Sequence, residues 1–564
     1  MQPAREKWWD TCIGPLTAPF YYSEADARQA HESRKEGRVT SSSRKLGGYF
    51  IWGDRLKLVS GDPAQDPVVK VSGRGRDVWI RSAHLGGSPL LELYVIDVGQ
   101  GDGLLIVSPE GHHIMVDGGN RRFNQNGGKN AADFVDWKFY KDYLRYFERG
   151  DANKTIVKLD AMIASHNDLD HFGGLLDLLD FTDEKNDAEL DCTSVQVDAF
   201  YHAGLSWWFG GLTSDGKKKR SLGRPYKGFY TKLLGDRTSA EKAVQNLENP
   251  DFGTLSGSWG DCIAAAVASF QASDPTQKTT IERLCTQTHD WLPGFADTDT
   301  DSRIAIRVLG PLSETVGTKQ GLKKLPDGDS INTNGHSVVL RIEFGHRKLL
   351  LTGDLNSSAQ TYIMDRYGDE FATEWQCDVA KGCHHGSRDV SYKFLAGLQP
   401  VATVISSGDA ETYDHPQPTI VAASALTGRK LWNSNGTRLM MPLVYMTEIS
   451  RSYELKPIYQ LHEFTTPQKE FSATKPKGDK AVHNTIREKS HFRVFLKSAV
   501  KSQADWPRLD KVMAVRGLVY GLINVRTDGK DLMFAAMEEQ GKDWSVTVLK
   551  DADIAAAAVN ANPS

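Results

Sequence analysis

Ser165-His166-Asn167-Asp168-Leu169-Asp170-His171-Phe172-Gly173-Gly174 is the stretch on which the reading of this chain turns. It places four side chains able to ligate a metal, His166, Asp168, Asp170 and His171, within six residues. Leu159-Asp-Ala-Met-Ile-Ala before it reads as an apolar strand, and a helix is expected from near Leu175. Inside a helix, positions i, i+2, i+4 and i+5 would scatter around the circumference. A loop at the carboxyl end of a strand lets them converge on one point. Neutral imidazoles and carboxylates suit Zn²⁺, Mn²⁺ or Fe²⁺. A solvated acidic turn capping the next helix is the structural alternative. Two histidines and two aspartates between an apolar strand and Gly-Gly are an uncommon way to build one.

Upstream, Leu91-Glu-Leu-Tyr-Val-Ile reads as a strand that runs through Asp97 into the turn Gln100-Gly-Asp102-Gly. Leu104-Leu-Ile-Val and His113-Ile-Met-Val-Asp117-Gly follow as strands joined by the turn Ser108-Pro-Glu-Gly. The charged, aromatic stretch from Asp133 to Arg149 has the spacing of an amphipathic helix. This alternation predicts a layered α/β domain. Downstream, Leu349-Leu-Leu-Thr-Gly-Asp354 ends a strand in a carboxylate, and Lys381-Gly-Cys-His384-His385-Gly-Ser387 sets paired imidazoles in a glycine turn. His415-Pro416 follows a further strand. Each of these pieces is weak alone.

The chain has 564 residues, room for three or four units. We expect 1–46 as an N-terminal extension, 47–88 as a small β-barrel, and 89–450 as the main domain with an insertion at about 183–301. Residues 451–564 are expected as a lysine-rich linker and a small C-terminal α+β unit. The end of the 47–88 segment resembles the closing strands of SH3-like domains; an N-terminal β-extension of the main domain explains it equally well. Charge is nearly balanced, 68 Lys+Arg against 72 Asp+Glu, which excludes an overall basic nucleic-acid binder but not a local basic groove. No window of roughly 18–20 apolar residues or secretory h-region is visible, so no membrane insertion is expected. Six cysteines without a CxxC pair read as reduced thiols, and the expected compartment is the cytoplasm.

Taken together, Asp97-Val-Gly-Gln-Gly-Asp, Val116-Asp-Gly-Gly, Ser165-His-Asn-Asp-Leu-Asp-His, Thr352-Gly-Asp, His384-His-Gly-Ser and Tyr413-Asp-His-Pro resemble metallo-β-lactamase-fold hydrolases of the ComEC-type competence branch. The resemblance covers about residues 90–430 and implies a four-layer αβ/βα sandwich with two divalent metal ions, Zn²⁺ or Mn²⁺, at one edge. It implies that His166 and Asp168 bind one metal, that Asp170, His171 and His385 bind the other, and that Asp354 bridges them. Asp117 would orient a histidine. Asp168 stands where the wider superfamily has a histidine, a harder donor that favours Mn²⁺ or Mg²⁺ relative to Zn²⁺. His336, in Asn332-Thr-Asn-Gly-His-Ser, is a further ligand candidate.

In the implied mechanism a metal-activated hydroxide attacks a phosphodiester, Asp170 orients it and accepts its proton, and His415 contacts the phosphoryl group or protonates the leaving group. Asp97, Asp102, Lys381, His384 and Ser387 are expected to support the site or meet substrate. DNA or RNA is the implied substrate class, and Lys217-Lys-Lys-Arg220 near Trp207, Trp208 and Tyr226 offers basic charge among aromatics. A solvated loop beside a packed aromatic pair explains those residues too. Two other functions stay open: hydrolysis of a small ester or cyclic nucleotide, and a partner-binding or regulatory component, for example of a bacterial defence system, with little activity. The relatives in this branch are integral membrane channels, so the resemblance implies a hydrolase part standing alone. A protein partner would dock on the N-terminal or C-terminal unit.

Overall fold

The computed structural model describes residues 7–35, 46–125, 128–143, 156–180, 190–296, 303–326, 328–408, 415–433, 439–448, 458–463, 492–496, 521–537 and 544–561. Two sheets lie at its centre. The first has nine strands, in the order Thr280–Arg283, Ser194–His202, Ile156–Ala164, His113–Gly118, Gly103–Val107, Leu91–Val95, Ile523–Thr527, Leu532–Met537 and Trp544–Leu549. The first four of these pair in parallel and the remainder antiparallel. The second has six, in the order Ala305–Gly310, Val339–Phe344, Arg347–Leu351, Val379–Lys381, Ala402–Ile405 and Leu443–Met446.

Period-two alternation builds the layers. Leu93, Ile106, Ile114 and Ile163 of the first sheet share one core with Ile306, Leu340, Leu349 and Val404 of the second. Their neighbours point outward. Leu105, Met115 and Met162 pack with Leu175 and Leu178 of the helix Leu169–Leu179 and with Ile263 of the helix Ser258–Ala268. Val339, Leu350 and Ile405 pack with Ile363 and Phe394 of the helices Ser357–Tyr367 and Tyr392–Leu398. The result is an α/β sandwich in which helices cover the outer face of each sheet.

Three features depart from the sequence expectations. Ser194–His202 and Thr280–Arg283, placed in the insertion, are strands of the first sheet. The N-terminal strands form an open seven-stranded sheet rather than a closed barrel, because Thr17–Tyr21 and Thr11–Ile13, assigned to the extension, pair along the edges that closure would need. Finally, the C-terminal strands are no separate unit: Ile523–Thr527 pairs along the whole of Leu91–Val95. The lysine-rich linker to Lys480 lies outside the described residues, apart from the strand Ile458–Glu463.

A buried charge cluster fastens that C-terminal strand. Arg526 bridges Asp54 (2.8 Å) and Glu92 (3.0 Å) and donates to the Trp52 carbonyl (2.6 Å), while Arg55 pairs with the other oxygen of Glu92. Burial would raise both carboxyls, but Arg74 with Arg526 at Asp54, and Arg526 with Arg55 at Glu92, hold them below the usual range. Breaking one partner out of such a pair typically costs about 3–5 kcal/mol. Among the described residues no helix is long and apolar enough to cross a membrane. All six cysteines are buried and unbridged.

Candidate metal centre

The loops that follow Ile156–Ala164, Arg347–Leu351, Val379–Lys381 and Ala402–Ile405 gather at one end of the two sheets, where the Ser165 carbonyl accepts from Val338 N (2.7 Å). Asp170 and His171 occupy the first turn of the helix Leu169–Leu179. That helix can lie close to the strand His113–Gly118 because Gly174 has no side chain: a Cβ there would stand 2.0 Å from the Gly118 carbonyl oxygen. His384 and His385 both adopt left-handed backbone, at φ 49° and 51°. For non-glycine residues this conformation costs about 1–3 kcal/mol each, and it aims the two rings in different directions.

Asp102, His171, Asp354 and His385, all buried, bring ligand atoms within 4.8 Å of one another. The inner three are tighter. His171 Nε2 lies 3.1 Å from His385 Nε2 and 3.2 Å from Asp354 Oδ2, and His385 Nε2 lies 3.1 Å from the same oxygen. Behind them, His171 Nδ1 donates to Asp117 Oδ2 (2.8 Å) and His385 Nδ1 to Asp102 Oδ1 (3.1 Å). With both Nδ1 atoms committed as donors, each neutral ring presents a bare Nε2 lone pair to the other and to a carboxylate. Three lone-pair atoms at such spacing repel unless a cation sits among them. Bonds of about 2.0–2.1 Å in tetrahedral geometry put ligand atoms about 3.3 Å apart, so these residues fit a divalent metal.

The electrostatics agree. Burial works to lower the His171 and His385 imidazoles, but Asp354 with Asp117, and Asp354 with Asp102, outweigh it; His171 rises well above its ordinary value and His385 to about 9. Burial would raise Asp354, yet His385 and His171 hold it far below the carboxylate range. Without a metal the cluster takes up protons. Asp170 Oδ2 lies 3.7 Å from His385 Nε2 at the edge of this group and accepts from Gln100 Nε2 (3.3 Å).

His166 stands alongside. Its Nδ1 meets Ser165 Oγ (3.1 Å) and Ser337 Oγ (3.4 Å), while its buried Nε2 has no hydrogen-bond partner among the described residues and faces Asp168 Oδ2 at 3.8 Å. Burial pushes this imidazole down to about 3, so it stays neutral with a lone pair to offer. Burial, then Asp170, raises Asp168 to about 6. Asp168 accepts from Thr333 Oγ1 (3.3 Å) and, with the Asn334 amide oriented by its network, from Asn334 nitrogen (3.0 Å). His166 and Asp168 thus form a second, looser donor set beside the first.

His336 is not in either set, contrary to expectation. Its Nε2 donates to the Lys323 carbonyl (2.8 Å), a backbone acceptor that claims the ring and turns it away. Ser337 and Asn334 of the same segment serve the site instead, Ser337 Oγ also accepting from Asp354 N (3.0 Å). His384 Nε2 donates to the Asn334 oxygen (3.3 Å) and stays 3.8 Å from Asp354 Oδ2. Lys381 is fully buried, ion-paired to Asp102 and 3.7 Å from Asp354 Oδ1, so it balances charge beneath the cluster and does not reach substrate. Ser387 Oγ caps its own loop by accepting from Asp389 N (3.2 Å). Asp97 Oδ1 accepts from Gly99 N (3.4 Å) in the turn that carries Gln100.

The His415 ring lies 5.9 Å from that of His384 and 6.4 Å from that of His385. Burial, with those two imidazoles, lowers it to about 3. Tyr413 and Asp414 before it lie outside the described residues. Sequence reasoning passed over Ser165, Gln100, Thr333, Asn334 and Ser337 as individual contacts. Only their nearness to the motifs signalled them.

No family profile matches the chain. Over 103 residues it is 35% identical to Competence protein ComA of Neisseria gonorrhoeae, a match covering 18% of this chain and 14% of that protein. Over 94 residues it is 33% identical to ComE operon protein 3 of Bacillus subtilis (strain 168), covering 16% and 12% respectively. The matches thus span well under two thirds of either relative. A metal-ready Asp/His cluster in an α/β sandwich, with partial similarity to competence proteins, is what the chain presents.

Proposed function

We propose that the chain is a metal-dependent hydrolase of the metallo-β-lactamase type, acting on the phosphodiester bonds of DNA or RNA. The observation that carries this reading is the triad of mutually facing lone-pair atoms on His171, His385 and Asp354, whose imidazoles are locked from behind by Asp117 and Asp102. Asp170 completes the tight position, and His166 with Asp168 makes a looser second one that shares Asp354. Bound divalent ions supply Lewis acidity toward a phosphoryl oxygen and lower the pKa of water. Nucleic acid as the substrate class is supported by the partial similarity to two competence proteins.

The protein's own residues set the rest. Asp170, whose carboxyl His171 and His385 hold below the usual range against the effect of burial, is ionised at neutral pH and free to accept a proton at Oδ1, with Oδ2 steadied by Gln100. His415, kept neutral, can hydrogen-bond a phosphoryl oxygen through a ring N–H without adding charge.

The test is to strip the full chain with a chelator, reload it with Mn²⁺ or Zn²⁺, and measure metal content by elemental analysis. Cleavage of a single-stranded oligonucleotide and of bis-p-nitrophenyl phosphate is followed in parallel. Metal uptake with oligonucleotide cleavage that Asp354→Asn abolishes is the expected result. Absence of metal uptake would overturn the reading, and turnover of the small ester alone would move the substrate class away from nucleic acid.

A further inference from the structure

We propose that Arg220, seated over the indole of Trp207, is the phosphate-positioning residue for a nucleic-acid strand entering the metal centre; this rests on the hydrolase reading above. Trp207 begins the hairpin of strands Trp208–Leu212 and Lys218–Ser221, in which Phe209 lies opposite Arg220. The Arg220 guanidinium sits 4.1 Å above the Trp207 ring. Trp207 is itself buried and tied to the metal motif, since the Asn167 amide oxygen accepts from its backbone N (3.0 Å) and its indole Nε1 (3.2 Å). Asn167 lies between His166 and Asp168, so the stacked pair is mounted directly on the looser donor set. Arg220 also lies near enough for its charge to act on Asp168.

The run Lys217-Lys218-Lys219-Arg220 is not uniform. Lys217 pairs with Asp215 (3.0 Å), and Lys218 is spent on the carbonyls of Leu247 (3.2 Å) and Glu248 (3.1 Å). Arg220 is exposed and, among the described residues, has no carboxylate partner within ion-pair distance. Its planar fork matches a phosphate with two parallel hydrogen bonds. The cation–π contact with the indole beneath restrains the side chain, reducing the entropy lost when phosphate binds. From a separate turn beside the hairpin, Phe252 is 70% exposed, with its ring 5.8 Å from that of Phe209. That is a platform on which an unpaired base can rest, and it favours a single strand over a duplex.

The experiment measures fluorescence anisotropy of labelled single-stranded DNA and RNA of one sequence, with the full chain in chelator so that no turnover occurs, across a range of salt. Arg220→Ala should weaken binding about tenfold, the effect of one charge-assisted contact. It should also flatten the slope of log affinity against log salt by about 0.7, the share of one phosphate on a single strand. Arg220→Lys should keep the slope and recover only part of the affinity. Lys550→Ala, which removes a charge near the far edge strand of the first sheet, should match the wild type in both. The DNA and RNA arms report which sugar is preferred, and the effect in either supports the proposal. If Arg220→Ala and Arg220→Lys bind like the wild type while metal-dependent cleavage persists, the role of Arg220 is overturned and the hydrolase reading stands. If the wild type neither binds nor cleaves either strand, the nucleic-acid reading and the role of Arg220 fall together.

Discussion

Asp117→Asn isolates the lock behind the metal centre. In the native protein both carboxylate oxygens accept: Oδ1 from Ser165 N (2.7 Å) and Oδ2 from His171 Nδ1 (2.8 Å). An asparagine has one acceptor oxygen and one donor nitrogen. If the oxygen stays on Ser165, the amide N–H faces His171 Nδ1, which must give up its proton. The proton then moves to Nε2, the atom that faces Asp354 and His385, and a protonated nitrogen cannot ligate. If the amide turns over, two N–H groups meet in a buried site at a cost of about 1–3 kcal/mol. Either arrangement weakens the metal position without removing a ligand. Loss of such an orienting partner lowers metal affinity about 10–100-fold, or about 1.4–2.7 kcal/mol. The assay is a chelator-competition titration of Zn²⁺ and Mn²⁺ with metal-stripped protein, paired with a melting curve to establish that the variant is folded. A folded Asp117→Asn protein that binds metal within twofold of the wild type would refute the argument that Asp117 sets the His171 tautomer.

Three other predictions follow from the same geometry. His385, raised from 6.5 to about 9 in the folded state, contributes stability that is fully present below about pH 6.5 and is lost as pH climbs through about 9. The Tm of metal-stripped protein should therefore fall across that window, while metal-loaded protein holds steady; scanning fluorimetry decides, and a rising Tm contradicts the assignment. His336→Ala should leave metal content unchanged and cost about 0.5–1.5 kcal/mol of stability through the lost hydrogen bond to the Lys323 carbonyl; loss of a metal equivalent by elemental analysis would restore His336 as a ligand. Gly101→Ala should cost about 2–4 kcal/mol and depress activity, because its φ is +119° and an added Cβ stands 1.9 Å from the Asp170 carbonyl oxygen. A denaturation midpoint equal to the wild type's would contradict that packing.

The segment Ser165–His171 was legible as a donor cluster because strand, ligand-type residues and glycines are contiguous, although the helix expected from near Leu175 already starts at Leu169 and carries Asp170 and His171 in its first turn. His336 misled for the opposite reason. Nothing near it in the chain reveals that the Lys323 carbonyl, 13 residues away, holds its ring. Ser194-Val-Gln-Val-Asp-Ala-Phe carries the period of a strand, yet it sits inside a stretch whose pattern is otherwise weak, and only pairing with Ile156–Ala164 makes it part of the core. The partners Asp102 and Lys381 were each marked as supporting residues. Their mutual ion pair could not be read, because it joins a turn of the first sheet to a strand end of the second. The open N-terminal sheet escaped for a similar reason, since edge pairing by Thr11–Ile13 and Thr17–Tyr21 is a tertiary choice with no composition of its own.

The strand Ile523–Thr527 lies between Leu91–Val95 and Leu532–Met537, and its Arg526 reaches Tyr94 across 432 positions of chain. Synthesis proceeds at about 5–20 residues per second, so roughly 20–90 s separate the emergence of these two neighbours from the ribosome. Throughout that interval the edge of Leu91–Val95 has no partner, and Glu92 lacks one of its two arginines. The donor groups of the metal centre, all upstream of residue 416, are complete before the sheet that supports them is closed. A nascent chain of this protein thus carries an unsealed strand edge for most of its synthesis, and a fragment cut after about residue 450 would carry it permanently.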